Sequence, residues 1–198
     1  MKVGVLALQG DYREHIDSLI ACGVDPIHVR RASELDAIEA LVLPGGESTT
    51  IAQLAEVFGI FTQIKDRIIA GMPVYGSCAG MILLANEILD AKDGQNSFGG
   101  LDITVRRNAF GRQVDSFESD IAFDDGSPEL VRAVFIRAPW VERVGEHVQV
   151  LASVGTHAVA VRSHTLLATS FHPEITGDHR IHRYFIEEVA RPALEKVK

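Results

Sequence analysis

The chain has little cysteine, little basic charge and no long apolar run. Its two cysteines, Cys22 and Cys78, could close one bridge at most, which excludes a secreted scaffold built on disulfides. Lysine and arginine number 19 against 27 acidic residues, a formal charge of −8. General nucleic-acid binding needs a basic face, and Arg30-Arg31 and Arg106-Arg107 are too scattered to make one. No apolar stretch approaches the roughly 20 residues of a membrane-spanning helix, and residues 3–8 after Met1-Lys2 are too short for an export signal. A cytoplasmic protein that engages neither membrane nor nucleic acid is expected. Seven prolines and 46% hydrophobic residues in 198 describe neither a disordered nor a low-complexity chain. The length fits one domain, residues 1–198, and no linker or internal repeat divides it.

What is present alternates between strand and helix. Val3-Gly4-Val5-Leu6-Ala7-Leu8 reads as a central parallel strand, apolar on both faces. Asp11-Tyr12-Arg13-Glu14 has the form of a capping box opening a helix, with Ile16, Leu19 and Ile20 on one face and a stop at Gly23. Strands follow at residues 26–29, 40–43 and 73–75, with a helical stretch over 48–70 interrupted near Gly59. Repeated β-α-β predicts a parallel sheet with helices on both faces. From residue 101 onward the pattern favours strands, including a hairpin around Arg162-Ser163-His164. A final helix over residues 178–196 carries Ile181, Phe185, Ile186 and Val189 on its apolar side. The expected fold is an α/β three-layer sandwich with a mostly parallel central sheet and a small antiparallel region.

Ligands in such sheets bind beyond the carboxyl ends of the strands. Two conspicuous segments lie there: Pro44-Gly45-Gly46-Glu47-Ser48 and Gly76-Ser77-Cys78-Ala79-Gly80. The second, at a strand-to-helix joint, is a nucleophile elbow carrying sulfur. Its glycines allow a tight reversal, and the helix N-terminus favours a thiolate at Cys78. A small buried cysteine is the plain alternative, and Cys22, before Gly23, is read as one. A thiol nucleophile needs a base and an orienting group. Ser170-Phe171-His172-Pro173-Glu174 supplies both: in an extended segment His172 and Glu174 project to the same side. The Gly45-Gly46 loop lacks the lysine of a phosphate loop and carries a carboxylate, Glu47, instead. His179 and His182, beside Asp178, are read as a solvated helix face and not as a metal site. No metal or other cofactor is expected.

These residues resemble the class I, triad-type glutamine amidotransferases, and within them the glutaminase subunits of pyridoxal 5′-phosphate synthases. Besides the elbow and His-x-Glu, the matching segments are Leu8-Gln9-Gly10-Asp11, Gly46-Glu47-Ser48-Thr49-Thr50, Arg107-Asn108-Ala109-Phe110-Gly111-Arg112-Gln113-Val114-Asp115-Ser116-Phe117 and Ile136-Arg137-Ala138-Pro139. Ser77 stands where threonine is more usual. The resemblance implies hydrolysis of L-glutamine to glutamate and ammonia by Cys78, His172 and Glu174 through a γ-glutamyl thioester. It implies an oxyanion hole from the backbone N–H groups of Gly46 and Ala79, and glutamine binding by Gly46, Glu47, Ser48, Arg107, Ile136 and Arg137. The implied partner is a separate (β/α)8-barrel synthase subunit that consumes the ammonia, with Leu8-Gln9-Gly10-Asp11 on the docking face. Another thiol hydrolase, such as a γ-glutamyl peptidase, and an inactive scaffold share these features. The intact His-x-Glu and the Gly-Gly-Glu-Ser loop favour the glutaminase.

Overall fold

The computed structural model describes residues 1–107, 109 and 116–196. Its first half alternates as the periodicity predicts, with one short unread helix, residues 32–36, added: β1 (Lys2–Leu6), α1 (Tyr12–Ala21), β2 (Asp25–Val29), α2 (Ala32–Asp36), β3 (Ala40–Leu43), α3 (Ser48–Val57), α4 (Phe61–Ile69), β4 (Val74–Ser77) and α5 (Ala79–Leu84). The second half begins with β5 (Ala85–Leu89), β6 (Leu101–Arg106), β7 (Ser116–Ile121), β8 (Val131–Ile136) and β9 (Trp140–Val144). It continues with β10 (Gln149–Val154), β11 (His157–Ser163) and β12 (Leu166–Thr169). A 3-10 turn (Pro173–Ile175), α6 (Arg180–Tyr184), a π-helical segment (Phe185–Ala190) and α7 (Arg191–Glu195) follow.

The main sheet runs β2-β1-β3-β4-β12-β11-β9-β6-β5, with β10 branching from β11. From β2 to β12 every pairing is parallel. β11 pairs antiparallel with β12, β9 and β10, and β7 with β8 forms a separate antiparallel ribbon. Side-chain alternation splits the interior into two cores. In β3, Leu41 and Leu43 join Ile51, Ile60 and Ile64 on one face of the sheet. Ala40 and Val42 join Leu19, Phe171 and Phe185 on the other. A strand covered on both faces must be apolar throughout, which is why β3 reads as an unbroken run.

Three local expectations change. The buried face of α1 carries His15, Ser18 and Leu19, while Ile20 is 57% exposed. Asp11 precedes α1, but its side chain makes no cap hydrogen bond; its carboxylate lies against His172 instead. The expected last helix starts at Arg180 and widens into a π segment before Pro192. Pro192 has no N–H to donate, and its ring crowds the carbonyl of Glu188. That carbonyl accepts from Arg162 Nη2 at 3.2 Å, and the Arg191 N–H bonds to Ile186 O. The apolar stripe Ile181, Phe185, Ile186 and Val189 is buried as expected. Strands β5 and β9 went unread because most of their residues are half-buried or exposed, which erases the alternation.

Candidate active site

β4 ends at Ser77, and the chain reverses at Cys78 with φ 48 and ψ −98, a conformation that L residues rarely adopt. The Cys78 N–H donates to Thr169 O at 2.7 Å, tying the elbow to the end of the neighbouring β12. The two flanking glycines are required by contact. A Cβ on Gly76 would come within 2.5 Å of the Gly80 backbone, and one on Gly80 within 2.3 Å of Leu43 O. Helix α5 can therefore lie directly against the ends of β3 and β4. The strain at Cys78 is held by this packing, and it presents the thiol to a cleft.

His172 arrives from β12. Its N–H donates to Val134 O of β8 at 2.9 Å, and its Nδ1 lies 2.8 Å from Glu174 Oε1. The pairing expected from His-x-Glu is made, but on the 3-10 turn Pro173–Ile175 and not on an extended segment. Gly45 makes room for the imidazole: a Cβ there would sit 2.4 Å from His172 Cε1. Asp11 Oδ2 approaches the same Nδ1 at 3.4 Å. Asp11, His172 and Glu174 thus bring donor atoms within 4.8 Å of one another. One imidazole bonded to a buried carboxylate and approached by a second is the arrangement of an oriented acid–base. Burial lowers the His172 pKa, but hydrogen bonds to Cys78 and Glu174, with their charges, outweigh it and raise the pKa to about 10. For Glu174 burial dominates and raises its carboxyl above the ordinary range, against the hydrogen bond from His172.

The cleft is open to solvent and is lined by Gly46, Glu47, Ser48, Cys78, Ala79, Ile82, Lys92, Arg107, Ile136 and Arg137. Every residue singled out for substrate binding or the oxyanion thus borders the same space as the thiol. The Ile136 carbonyl oxygen is 3.9 Å from Cys78 Sγ, and Arg137 follows with φ 44. The Ala109 N–H donates to Ala138 O at 3.0 Å, holding the Arg107 loop beside the Arg137 loop. Asn108 and residues 110–115 of the matching segment lie outside the described residues. Glu47 caps α3 by accepting from the Thr50 N–H at 3.0 Å, and its other oxygen pairs with Arg107 Nη2 at 2.9 Å and Lys92 Nζ at 3.3 Å. Burial works against these contacts, but together they hold the Glu47 carboxyl below the ordinary range.

Two groups of residues escaped the sequence reading. Lys92 and Gln95, between β5 and β6, close one side of the cleft: Gln95 Nε2 donates to Ser48 Oγ at 3.0 Å, and its amide oxygen accepts from Arg107. No motif marks them. The second group corrects an expectation. His182 is not on a solvated face but fully buried, with Nε2 2.8 Å from Nδ1 of buried His15. His15 Nε2 lies 3.0 Å from Ser77 Oγ and 3.5 Å from Glu174 Oε1. His179 is half-buried beside them, and Cys22 Sγ lies 3.7 Å from its carbonyl oxygen.

Burial, then the charge on His179, pushes the His182 pKa from 6.5 down to about 3. The folded state therefore holds this imidazole neutral, and unfolding takes up a proton between those two values. His182's contribution to stability is complete above pH 6.5 and lost as the pH falls toward 3. His172 has the opposite sign: its contribution is complete below 6.5 and lost as the pH rises through about 10. Thermal denaturation of wild type and His182→Gln between pH 5 and pH 7 tests the first statement. The variant should lose less stability on acidification, by up to about 1.4 kcal/mol per pH unit; equal slopes would remove His182 as a cause.

A sulfur elbow, a histidine–glutamate pair and a charge-bearing cleft at the carboxyl ends of parallel strands are the features expected of a glutamine amidotransferase. The chain belongs to the SNO glutamine amidotransferase family, which it matches over residues 5–191. It is similar to pyridoxal 5′-phosphate synthase subunit PdxT of Mycobacterium ulcerans (strain Agy99), 61% identical over 191 residues, spanning 95% of this chain and 96% of that protein. The protein of the same name from Acidothermus cellulolyticus is 58% identical over 199 residues, spanning 97% of this chain and 95% of that one. A crystal structure of a glutamine amidotransferase superposes with a TM-score of 0.87 at 48% identity, covering 93% of this chain and 97% of that chain. Among the described residues no helix is long and apolar enough to cross a membrane.

Proposed function

We propose that the whole chain, residues 1–198, is the glutaminase subunit of a pyridoxal 5′-phosphate synthase, hydrolysing L-glutamine and passing ammonia to a separate synthase subunit. The observation that carries the reading is the Glu174–His172 pair, 2.8 Å apart, beside a cysteine held at positive φ in a charged cleft. Cys78 thiolate attacks the side-chain carboxamide carbon. The oxyanion is stabilised by the N–H groups of Ala79 and Gly46. His172, as imidazolium, protonates the departing nitrogen, and ammonia leaves a γ-glutamyl thioester. Neutral His172 then takes a proton from water; hydroxide adds to the thioester, and glutamate and the thiolate are released. Glu174 holds the imidazole by Nδ1–H and offsets its charge.

The cleft's charges divide between the two ends of an amino acid. Glu47 accepts the α-ammonium, and Gly46, Ser48 and the Ile136 backbone border the chain of the substrate. Arg107 already holds Glu47, whereas Arg137 makes no ion pair among the described residues. We therefore assign the α-carboxylate to Arg137 and the positioning of Glu47 to Arg107.

Ammonia that escaped would be protonated in water, so the partner must consume it at the site. We assign that partner to a (β/α)8-barrel subunit acting on sugar phosphates, in a cytoplasmic complex. Leu8-Gln9-Gly10-Asp11 is the proposed docking segment. Gln9 Oε1 accepts from the Glu47 N–H at 2.8 Å, and the Asp11 N–H donates to Gly45 O at 3.1 Å. A partner that moved Gln9 would move the Gly45-Gly46 loop. The test is ammonia release from glutamine by the purified chain, with and without a co-purified synthase subunit. Hydrolysis should rise on complex formation and feed the pyridoxal product. A free chain as fast as the complex would refute the gating, and no glutamine hydrolysis in either would refute the reading.

A further inference from the structure

We propose that His15 is a positioning residue for this reaction: its neutral imidazole, protonated at Nε2, bonds to Ser77 and sets the positive edge of the ring 3.5 Å from Glu174, steadying the carboxylate that orients His172. The inference rests on the glutaminase reading above. His15 is entirely buried on α1, and both ring nitrogens are engaged. Nδ1 faces His182 Nε2 at 2.8 Å; Nε2 faces Ser77 Oγ at 3.0 Å and Glu174 Oε1 at 3.5 Å. The same Oε1 takes the His172 bond at 2.8 Å. Ser77 is therefore more than a spacer in the elbow: its hydroxyl sits at the joint between His15 and the nucleophile.

The carboxylate decides the tautomer. With the proton on Nδ1, the Nε2 lone pair of His15 would face a carboxylate oxygen in a buried, low-dielectric site, a repulsive arrangement. With the proton on Nε2, His15 donates to Ser77 Oγ and turns its positive edge to Glu174 Oε1, and Nδ1 accepts from the Nε2–H of His182. Protonation of both nitrogens is opposed by burial first, then by His182 and His172. The groups facing His15 from each packed element are Tyr75 and Ser77 on β4, His172 and Glu174 after β12, and His182 on α6 with His179 behind it, while Asp11 ahead of α1 lies against His172.

Burial disfavours the Glu174 charge, and Oε2 has no hydrogen-bond partner among the described residues, so the charge rests on what lies at Oε1: His172 and the edge of His15. Without His15, the buried carboxylate keeps His172 as its donor partner in the relay and is more readily protonated. A protonated Glu174 cannot offset the imidazolium and accepts from the ring only as a weaker, neutral acceptor. Filling this space would take only a leucine or phenylalanine, with no cost for burying imidazoles.

The test compares His15→Phe, which keeps a ring without donors, with His15→Gln, whose amide N–H can occupy the place of Nε2–H. Both are assayed as the full chain in complex with the synthase subunit. His15→Phe should lower kcat roughly 10- to 100-fold with little change in KM, since His15 does not line the cleft. It should also move the acidic limb of the kcat/KM profile upward by about one pH unit, and His15→Gln should reverse most of both changes. An unmoved limb, or failure of Gln to outperform Phe, would overturn the proposal. Nitrogen NMR of wild-type His15 covers the case in which the Phe variant does not fold: a neutral ring protonated at Nε2 supports the assignment, and Nδ1–H or imidazolium at pH 7 refutes it. Removing the His182 donor, as His182→Leu, should raise the Glu174 carboxyl titration seen by carbon NMR; no change would count against the relay. Neither NMR reading requires turnover, so a wild type inactive on glutamine would sink the functional reading without deciding this one.

Discussion

Cys78→Ala should lower glutamine hydrolysis by at least about 10⁴-fold, because it removes the atom proposed to form the thioester. The variant should still dock, and pyridoxal formation fed with added ammonia should persist when glutamine-fed formation stops. That contrast separates a lost nucleophile from a lost complex. The folded state should be little affected. The positive φ at Cys78 is maintained by contacts of Gly76 and Gly80 with the backbone of α5 and β3, not by the thiol. Measuring ammonia, glutamate and the pyridoxal product in parallel decides the matter. Residual hydrolysis within tenfold of wild type would mean that Cys78 is not the nucleophile.

Glu174→Gln should be the next most damaging change to the reaction, and it should act without unfolding the protein. Glutamine keeps the shape but not the charge, so the imidazolium of His172 loses its counter-charge and the ring its fixed tautomer. A loss of roughly 10²- to 10⁴-fold in kcat is expected, by analogy with neutralising the carboxylate of a serine-protease triad. Stability should move the other way. A carboxyl whose folded pKa is raised contributes stability at low pH that is lost as the pH rises, so the ionised Glu174 is a burden. The melting temperature of Glu174→Gln should therefore equal or exceed that of wild type above about pH 10, where His172 no longer carries the charge that Glu174 offsets. A variant that is both fully active and less stable would contradict both halves of the argument. Such opposition is expected where a site keeps a charge buried for its chemistry.

Much of the site was legible because its chemistry needs special residues at fixed spacings. A tight strand-to-helix reversal needs glycine on both sides of Cys78, and the contacts at Gly76 and Gly80 give the reason. His172 and Glu174 lie two residues apart, so almost any local backbone brings them near each other. That is why the pairing could be read even though the expected extended segment is a 3-10 turn. Asp11 misled for the opposite reason. An Asp-x-x-Glu string matches a capping box, but the nearby imidazole of His172 offers the carboxylate a charged partner. His182 misled likewise: a histidine in an arginine-rich turn looks solvated until α1 is packed against it.

The sequence by itself determined the β-α alternation of the first half, the place of the elbow, the His-Glu pair and the family to which they belong. Each depends on neighbours along the chain, through side-chain periodicity, glycine at a tight reversal or a short fixed separation. Only the tertiary structure decided that His15, 167 residues from His182, meets it beneath Glu174. It also decided that Lys92 borders the cleft with Gln95 bonded to Ser48 and Arg107 behind it, and that Arg107 is held by Glu47 while Arg137 makes no ion pair among the described residues. These are contacts between distant segments. No periodicity encodes them, because they arise only when the parallel sheet draws its carboxyl ends together and α1 and α6 close over one face.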